Sequence, residues 1–442
     1  MIINAGANEE LDDNKSTQYG KIAKAIANFK QRSITVDRPL INEAKFSFVP
    51  DEKNNRIIFS FKGLCGIGDD IARAIVEHQP YSSFEDFCKR LVDTKIIGTA
   101  KMIILIKAGC FNELDSPDRM ETMKKFLSRN VFIPADKLTM QQFNSALEYG
   151  IFPKEMETLI RIKNFKAYAL HESFFLKNII EDGKKIPKRG YHDRYFALDE
   201  RGTQFLMEHF NTCIVGTTED GVIISEKLFN KEWDTLIQPL KDYLALPETL
   251  QLYNQKKLDS IMESYASGSL EQWDMESLSY YPDRHELWNL NEEKYGVVDY
   301  NSLPEVPEIY DYITRRVRGE IKHFPKYKIV RLAGTVLDSD NNKHLVTLLT
   351  NHGVVTCKYN KGQYSYYNKR ISEQKADKKK VLEESWFKRG SKIIVCGYRR
   401  EDQFVVMKYK ETVYTHTTNR IEEIYNDGTI LAQTDRKKVG ED

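Results

Sequence analysis

The chain has 442 residues, 66 Lys or Arg against 65 Asp or Glu for a net charge of +1, 41% apolar and 30% charged residues; that length suits two to four domains, each able to bury a core. No apolar run reaches the ~18 residues of a membrane span, and no signal-peptide core opens the chain. Six cysteines without a Cys-x-x-Cys and nine scattered histidines argue against a disulfide frame or metal cluster and for reduced thiols in a cytoplasmic protein.

The balanced charge hides an asymmetry. Positions 358–400 hold 13 Lys or Arg and 4 Asp or Glu, whereas positions 247–311 hold 4 basic and 14 acidic residues. A polyanion is drawn to the first segment and repelled by the second, although a basic run also serves as a solvated face.

Residues 1–14 are polar. A helix is expected over 18–31, with Ile22, Ile26 and Phe29 on one face. Residues 35–42 read as extended chain, because Pro39 disfavours helix before it. Positions 46–61 read as a hairpin turning at 51–55. Then comes Phe61-Lys62-Gly63-Leu64-Cys65-Gly66-Ile67-Gly68, followed at once by a helix with Ile71, Ala74 and Ile75 on one face. The glycines permit a tight turn without a Cβ, Ile67 can plug it into the core, and Asp69 or Asp70 can cap the helix. A row of backbone N–H groups beside a helix N-terminus is left, suited to a phosphate. This is a helix-hairpin-helix pattern, which a plain tight turn would also fit. Further on, Ser82 and Glu85 form a capping box before Phe84, and Thr99 caps a helix over 100–108 that ends at Gly109. A further helix runs through Leu127.

Six blocks in order carry a resemblance. They are Asn28-Phe29-Lys30-Gln31-Arg32-Ser33-Ile34, Pro39-Leu40-Ile41-Asn42, Phe46-Ser47-Phe48, the glycine stretch above, Ser83-Phe84-Glu85-Asp86-Phe87-Cys88-Lys89-Arg90, and Leu105-Ile106-Lys107-Ala108-Gly109-Cys110-Phe111-Asn112. Together they resemble the stretch from the end of the fingers through the tandem helix-hairpin-helix of bacterial and phage DNA polymerase III alpha subunits, the C-family replicases.

Residues 130–269 mix helical patterns (140–149, 154–176) with strand-like pieces at 213–216 and 221–224, and read as a mixed α/β insertion. His285-Glu286-Leu287 is a diluted form of a family segment that has His-Pro-Leu. Residues 270–325 read as an acidic connector. From Lys328 the pattern changes to five strands, over 328–337, 344–350, 354–359, 392–398 and 404–409, with a basic, mostly helical segment between the third and fourth. That fits an OB-fold, a small barrel that commonly binds single strands, and the family has an OB domain in this place. The tail from 412 reads as flexible. The expected fold is multidomain α+β: an end-of-fingers region (1–61), a tandem helix-hairpin-helix domain (62–129), the insertion, the connector, an OB-fold β-barrel (326–411) and the tail (412–442).

The chemistry is marked by what the sequence lacks. The family's palm motif, Pro-Asp followed by Asp-x-Asp, does not occur. The one Asp-x-Asp, Asp338-Ser339-Asp340, heads an Asn-Asn turn. No catalytic or metal-binding residue is therefore expected here. The carboxylates and their Mg²⁺ would belong to an N-terminal polymerase half that lies elsewhere, either on a second polypeptide acting in trans or on a part of the polymerase not included in this sequence. DNA contact is expected from Lys62, Gly63, Gly66, Ile67, Gly68 and Arg73 on duplex product, by positioning rather than sequence readout. Lys358, Tyr359, Lys361, Tyr364, Tyr366, Tyr367 and Arg370 are expected to take single-stranded template by stacking and backbone contact, although some of these rings also suit a barrel core. The family binds a sliding clamp, and Gln204-Phe205-Leu206-Met207 is the nearest candidate peptide. Two other readings stay open: a free-standing DNA-binding accessory protein, distinguished by whether residues 20–61 lack an exposed apolar surface, and a helix-hairpin-helix repair enzyme, which needs a catalytic Asp in a setting unlike Phe84-Glu85-Asp86-Phe87.

Overall fold

A computed structural model describes residues 19–132, 136–175, 178–181, 184–187, 193–197, 199–375, 378–407 and 417–437. The polar start, residues 408–411 at the end of the expected barrel, and residues 412–416 and 438–442 of the expected tail lie outside the described residues. The chain divides into two compact units, one made of Met1–Met123 with Ser267–Asp442, the other of Lys124–Ala266.

The first unit opens with helix α1 (Tyr19–Gln31), whose Ile22, Ala23 and Ile26 are buried. Strands β1 (Thr35–Asp37), β2 (Val49–Asp51) and β3 (Arg56–Ile58) form a sheet in the order β1-β3-β2, with β1 parallel to β3. Arg56 ties it together, donating to Asp51 and Asp37 at 2.8 Å each and to Glu43 at 2.6 Å. Helices α2 (Asp69–Glu77) and α3 (Thr99–Lys107) follow, and the rings of Phe84 and Phe87 meet that of Phe111 edge-on at 5.1 and 5.0 Å. The expected caps shift by one residue. Gly68 and Gly98 hold the cap positions of α2 and α3 without a side-chain cap, and Ser83, not Ser82, accepts the Asp86 amide at 3.1 Å.

Helix α4 (Leu270–Leu278) begins with a capping box from Ser269 and Gln272. It carries Asp274, 3% exposed, which accepts from Arg38 at 2.6 and 2.9 Å and from Arg119 at 2.5 Å. Arg38 also reaches Asp283, and these two carboxylates outweigh burial and hold its guanidinium charged. A buried carboxylate shared by two guanidiniums thus welds α4 to the hairpin region.

Next, β4 (Ile309–Val317) and β5 (Glu320–Tyr327) form a separate two-stranded ribbon. The expected acidic connector is therefore structured, with a helix near its start and a ribbon near its end. The barrel consists of β6 (Val330–Asp340), β7 (Leu345–Thr350), β8 (Gly353–Lys358), β11 (Lys392–Arg400) and β12 (Gln403–Val406). Its order is β6-β7-β8-β12-β11, closed by β11 on β6, and antiparallel except for β8 with β12. Helix α5 (Lys361–Asn368) and the ribbon β9 (Ile371–Lys375) with β10 (Lys378–Glu383) lie in sequence between β8 and β11. This closed five-stranded barrel with a helix between the third and fourth strands is OB-like, as the strand pattern predicts. Val336, Val346, Leu348, Val355 and Phe404 fill it.

Over its described residues, 417–437, the expected flexible tail is a correction. Strands β13 (Thr418–Ile424) and β14 (Ile430–Gln433) add to the barrel sheet through β11. Arg436 then pairs with Glu383 at 2.7 Å, both side chains 2% exposed, and donates to the carbonyls of Tyr366, Tyr367, Lys369 and Glu384. Burial alone would raise the Glu383 carboxyl, but Arg436 and Trp386 hold it below its usual range. An arginine with its five donors engaged pins the segment in place.

In the second unit, Ser173–Phe175, Asp193–Ala197, Gly221–Ser225 and Ile214–Thr218 form an antiparallel four-stranded sheet in that order. It shares with helices Glu157–His171 and Glu226–Leu236 a core containing Phe165, Phe196, Phe210 and Phe229. The clamp-peptide candidate lies on helix Glu200–His209 with Leu206 fully buried and the Phe205 ring 4.6 Å from that of Phe165. Phe205 and Leu206 are used by the core and, of the apolar side chains, only Met207, 48% exposed, faces out, so the segment is held as a helix and not displayed as an extended peptide.

Candidate nucleic-acid interface

The glycine hairpin takes the form its residues dictate. Gly66 has φ +83°, which excludes most side chains there, while Ile67 is buried as the plug. Gly66, Gly68, Asp69 and Asp70 are exposed around it. Gly68 places α2 so that its first-turn amides, which have no helical partner, open outward.

A second hairpin repeats this. Lys95 turns the chain in the left-handed region at φ 63°, Ile97 is buried like Ile67, and the exposed Gly98 leads into α3. The two hairpins touch, since Lys101 from α3 donates through Nζ to the Gly66 carbonyl. Sequence reasoning singled out no residue of the second hairpin; the signal was Ile97-Gly98 ahead of an apolar run, a copy of Ile67-Gly68. Two uncapped helix N-termini with cationic side chains beside them can hold two phosphates of one backbone.

Of the other residues expected here, Lys62 pairs with Asp69, and Arg73 lies over the Phe46 ring at 4.4 Å. Gly63 is buried, with its amide on Ser60 Oγ at 3.0 Å, so it shapes the turn from within. Behind the turn, the Cys65 amide donates to the Ser277 carbonyl at 2.8 Å and its sulfur lies 2.9 Å from Ser279 Oγ. Arg389, on the loop before β11, donates to the same sulfur at 3.1 Å. Burial pushes the Cys65 thiol up despite that guanidinium, so it is a packing group rather than a reactive one. The hairpin is thus seated on α4 and the barrel.

The barrel residues divide. Tyr359, Tyr364 and Tyr367 are 2, 2 and 6% exposed and plug one end of the barrel with Trp386 and Phe387. No base can stack on rings so placed, and this corrects the expectation for all three. The Tyr359 hydroxyl bonds Thr418 and that of Tyr367 bonds Thr417, so the added C-terminal strand satisfies them. Tyr366 is 49% exposed, Lys361 is exposed, and Arg370 is exposed but pairs with Glu384 at 3.0 Å. Lys358 turns its ammonium to the Lys343 carbonyl.

The outer face of the barrel is also taken. OB-folds use the second and third strands and their loops for oligonucleotides. Here α1 lies along β6 and β8, and Ala23 packs with Met275, Tyr281, Leu337 and Leu349. Leu337 and Leu349 alternate with the inward Val336 and Leu348, so they belong to the outer surface.

The carboxylates of Asp338 and Asp340 do not fit a metal pair. Asp338 accepts from the Ser339 amide, and Asp340 accepts from the Asn342 and Lys343 amides at 2.9 Å each. They shape the turn the sequence predicts. Among the described residues, no group of three or more His, Cys, Asp or Glu is placed to hold a metal ion, all six cysteines are buried and free, and no helix is long and apolar enough to cross a membrane.

A family model described as a helix-hairpin-helix motif matches residues 33–121. The chain is also similar along its length to a probable DNA polymerase, YorL, of Bacillus subtilis (strain 168) and to a DNA-directed DNA polymerase of Bacillus phage SPbeta. Each is 38% identical over 449 aligned residues, covering 99% of this chain. The chain spans about a third of the length of these curated relatives, 33% in both cases.

Proposed function

We propose that this chain is the DNA-binding part of a C-family replicative DNA polymerase whose catalytic palm, with its Mg²⁺, stands on another polypeptide. The observation that carries this reading is the pair of glycine-started, uncapped helices at Gly68 and Gly98, on a chain whose relatives are named as DNA polymerases. The hairpins hold the phosphates of duplex product without reading sequence. Single-stranded template passes the barrel along Lys361, Tyr366 and Arg370. A sliding clamp belongs to the assembled polymerase in this reading, with its peptide outside helix Glu200–His209. The chain works inside the cell, where template is available.

The test joins two assays on the full chain. It should bind mixed-sequence duplex, and it should extend no primer with Mg²⁺ and nucleotides until a polypeptide carrying the palm is added. Extension by the chain alone, after removal of host polymerases, would overturn the division of labour. Absence of duplex binding would overturn the role itself.

A second reading, a non-catalytic accessory protein, is favoured by one observation. Among described residues 19–61, no large apolar side chain is exposed, because α1 spends its apolar face on the barrel. Co-purification with a palm-bearing polypeptide separates the two.

A further inference from the structure

The ribbon β4–β5 belongs to neither the hairpins nor the barrel wall. Val317 pairs with Glu320, leaving a two-residue turn, Arg318-Gly319, with φ 53° and 86°. Two positive φ values suit the right-handed twist of a tight hairpin. At ~3.4 Å per residue, nine residues span about 30 Å. The base is fixed: the Tyr327 ring lies 4.4 Å from that of Tyr398, and the Lys328 amide donates to the Glu308 carbonyl at 2.9 Å. Beyond it the ribbon is exposed on both sides, and an isolated two-stranded ribbon is marginal in water without a partner.

Its side chains indicate which partner. Residues 309–327 hold five Lys or Arg and two carboxylates, immediately after the most acidic stretch of the chain. The carboxylates are spoken for, since Asp311 pairs with Lys326 at 2.5 Å and Glu320 lies 3.6 Å from Lys322. Among the described residues, none is paired with Arg315, Arg316 or Arg318. The register puts Ile313, Phe324, Arg315 and Lys322 on one face and Tyr312, His323, Arg316 and Ile321 on the other. Tyr312, Ile321 and Phe324 are exposed. Each face thus mixes cations with apolar groups, Ile313, Val317 and Phe324 on one and Tyr312, Ile321 and Pro325 on the other, with Ile309 and Tyr310 exposed near the base. The Arg315–Lys322 pair interrupts the first face and the Thr314–His323 pair the second, so neither is a continuous apolar patch of the kind a flat protein partner covers. A partner that lines both faces with negative charge suits it better. The major groove of a duplex is about 12 Å wide, admits a two-stranded ribbon and is walled by phosphates.

We infer that the ribbon Ile309–Tyr327 is a second duplex-DNA contact, lying in a groove with Arg315, Arg316 and Arg318 on the flanking phosphates. The inference rests on the reading of the chain as a DNA-binding protein, and the experiment separates the two. Binding of the full chain to mixed-sequence duplex and to single strands is followed by anisotropy over a salt series. The variant is Arg315→Ala/Arg316→Ala/Arg318→Ala, whose sites are exposed and should leave the melting temperature unchanged. Duplex affinity should fall about tenfold or more, and the slope of log affinity on log salt should flatten by about two to three, near 0.9 for each phosphate no longer neutralised. Tyr312→Ala should weaken duplex binding without moving that slope. If wild type binds duplex and the triple variant matches it in affinity and slope, the ribbon assignment is wrong while the hairpin reading stands. If the triple variant loses single-strand binding alone, the groove assignment is wrong. If wild type binds no duplex, both readings fall.

Discussion

Gly68 and Gly98 share one backbone geometry, φ −82° and ψ 166° against φ −81° and ψ 164°, and each stands directly before a nine-residue helix with no side chain capping it. Serine, threonine, asparagine or aspartate is the stabilising choice at such a position. Two glycines there leave the first-turn amides open to something outside the chain.

The first prediction uses this equivalence. A Cβ at Gly98 meets nothing within 4 Å, and one at Gly68 meets only the end of Asp70, at 2.7 Å. Gly98→Ala and Gly68→Ala should each lower stability by no more than about 1 kcal/mol. Duplex affinity should drop about tenfold, as when one charge-assisted hydrogen bond is removed. Gly66 is a poorer probe, because its φ of +83° makes any side chain there costly to the fold. Calorimetry beside binding decides the matter: loss of melting temperature in proportion to loss of affinity would make these glycines structural.

The second concerns Asp274. Asp274→Asn should cost about 3–5 kcal/mol, because the half-buried Arg38 and the buried Arg119 would lose their shared countercharge. Denaturant unfolding measures this, and a change below about 1 kcal/mol would mean that water reaches the cluster.

Local pattern and long-range packing were unequally legible in the sequence. The five barrel strands and the first hairpin could be read because alternation, helical period and glycine placement are local signals. Arg38, Arg119 and Asp274 come from three distant segments, and only packing joins them. Tyr359, Tyr364 and Tyr367 stand among lysines, so composition suggested a stacking face; their inward direction depends on strand register and on the hydroxyl partners Thr417 and Thr418. The ribbon was hidden because an acidic run ends just where its basic run begins. The tail was misjudged because Arg436 is one polar residue among many until Glu383 and four carbonyls surround it.

The third prediction follows from His285. Its Nε2 lies 2.9 Å from the Leu349 carbonyl, and its Nδ1 accepts the Leu287 amide at 2.9 Å, which fixes a neutral ring. Burial lowers its pKa from the ordinary 6.5 to about 4, with His352 and Lys30 acting in the same direction. Between those values the unfolded chain binds a proton that the folded one does not. Stability should therefore be fully present above pH 6.5 and decline by roughly 3 kcal/mol as pH falls toward 4. His285→Gln should be less stable at neutral pH and should flatten that part of the curve. Thermal melts of both proteins from neutral pH down to about 4 test it; parallel curves would assign the decline to other groups.

The last prediction separates the buried from the exposed tyrosines of the barrel. Tyr364 lies inside, with its hydroxyl 3.0 Å from Asn341 Oδ1. Tyr364→Phe should cost about 1 kcal/mol of stability and leave single-strand binding unchanged. Tyr364→Ala should cost about 3–5 kcal/mol, the usual penalty for truncating a buried aromatic. Tyr366, 49% exposed on the same helix as the exposed Lys361, is the ring a base can reach. Tyr366→Ala should weaken single-strand binding by ~1–3 kcal/mol with no change in its salt slope, because stacking releases few ions. Lys361→Ala/Arg370→Ala should do the converse, flattening the slope by about one, near 0.7 for Lys361 and less for Arg370, whose charge Glu384 already answers. Equal losses from Tyr364→Phe and Tyr366→Ala would mean that the plugged end of the barrel opens when strands bind. No loss from either would move the single-strand path off the barrel and leave its basic segment as a solvated face.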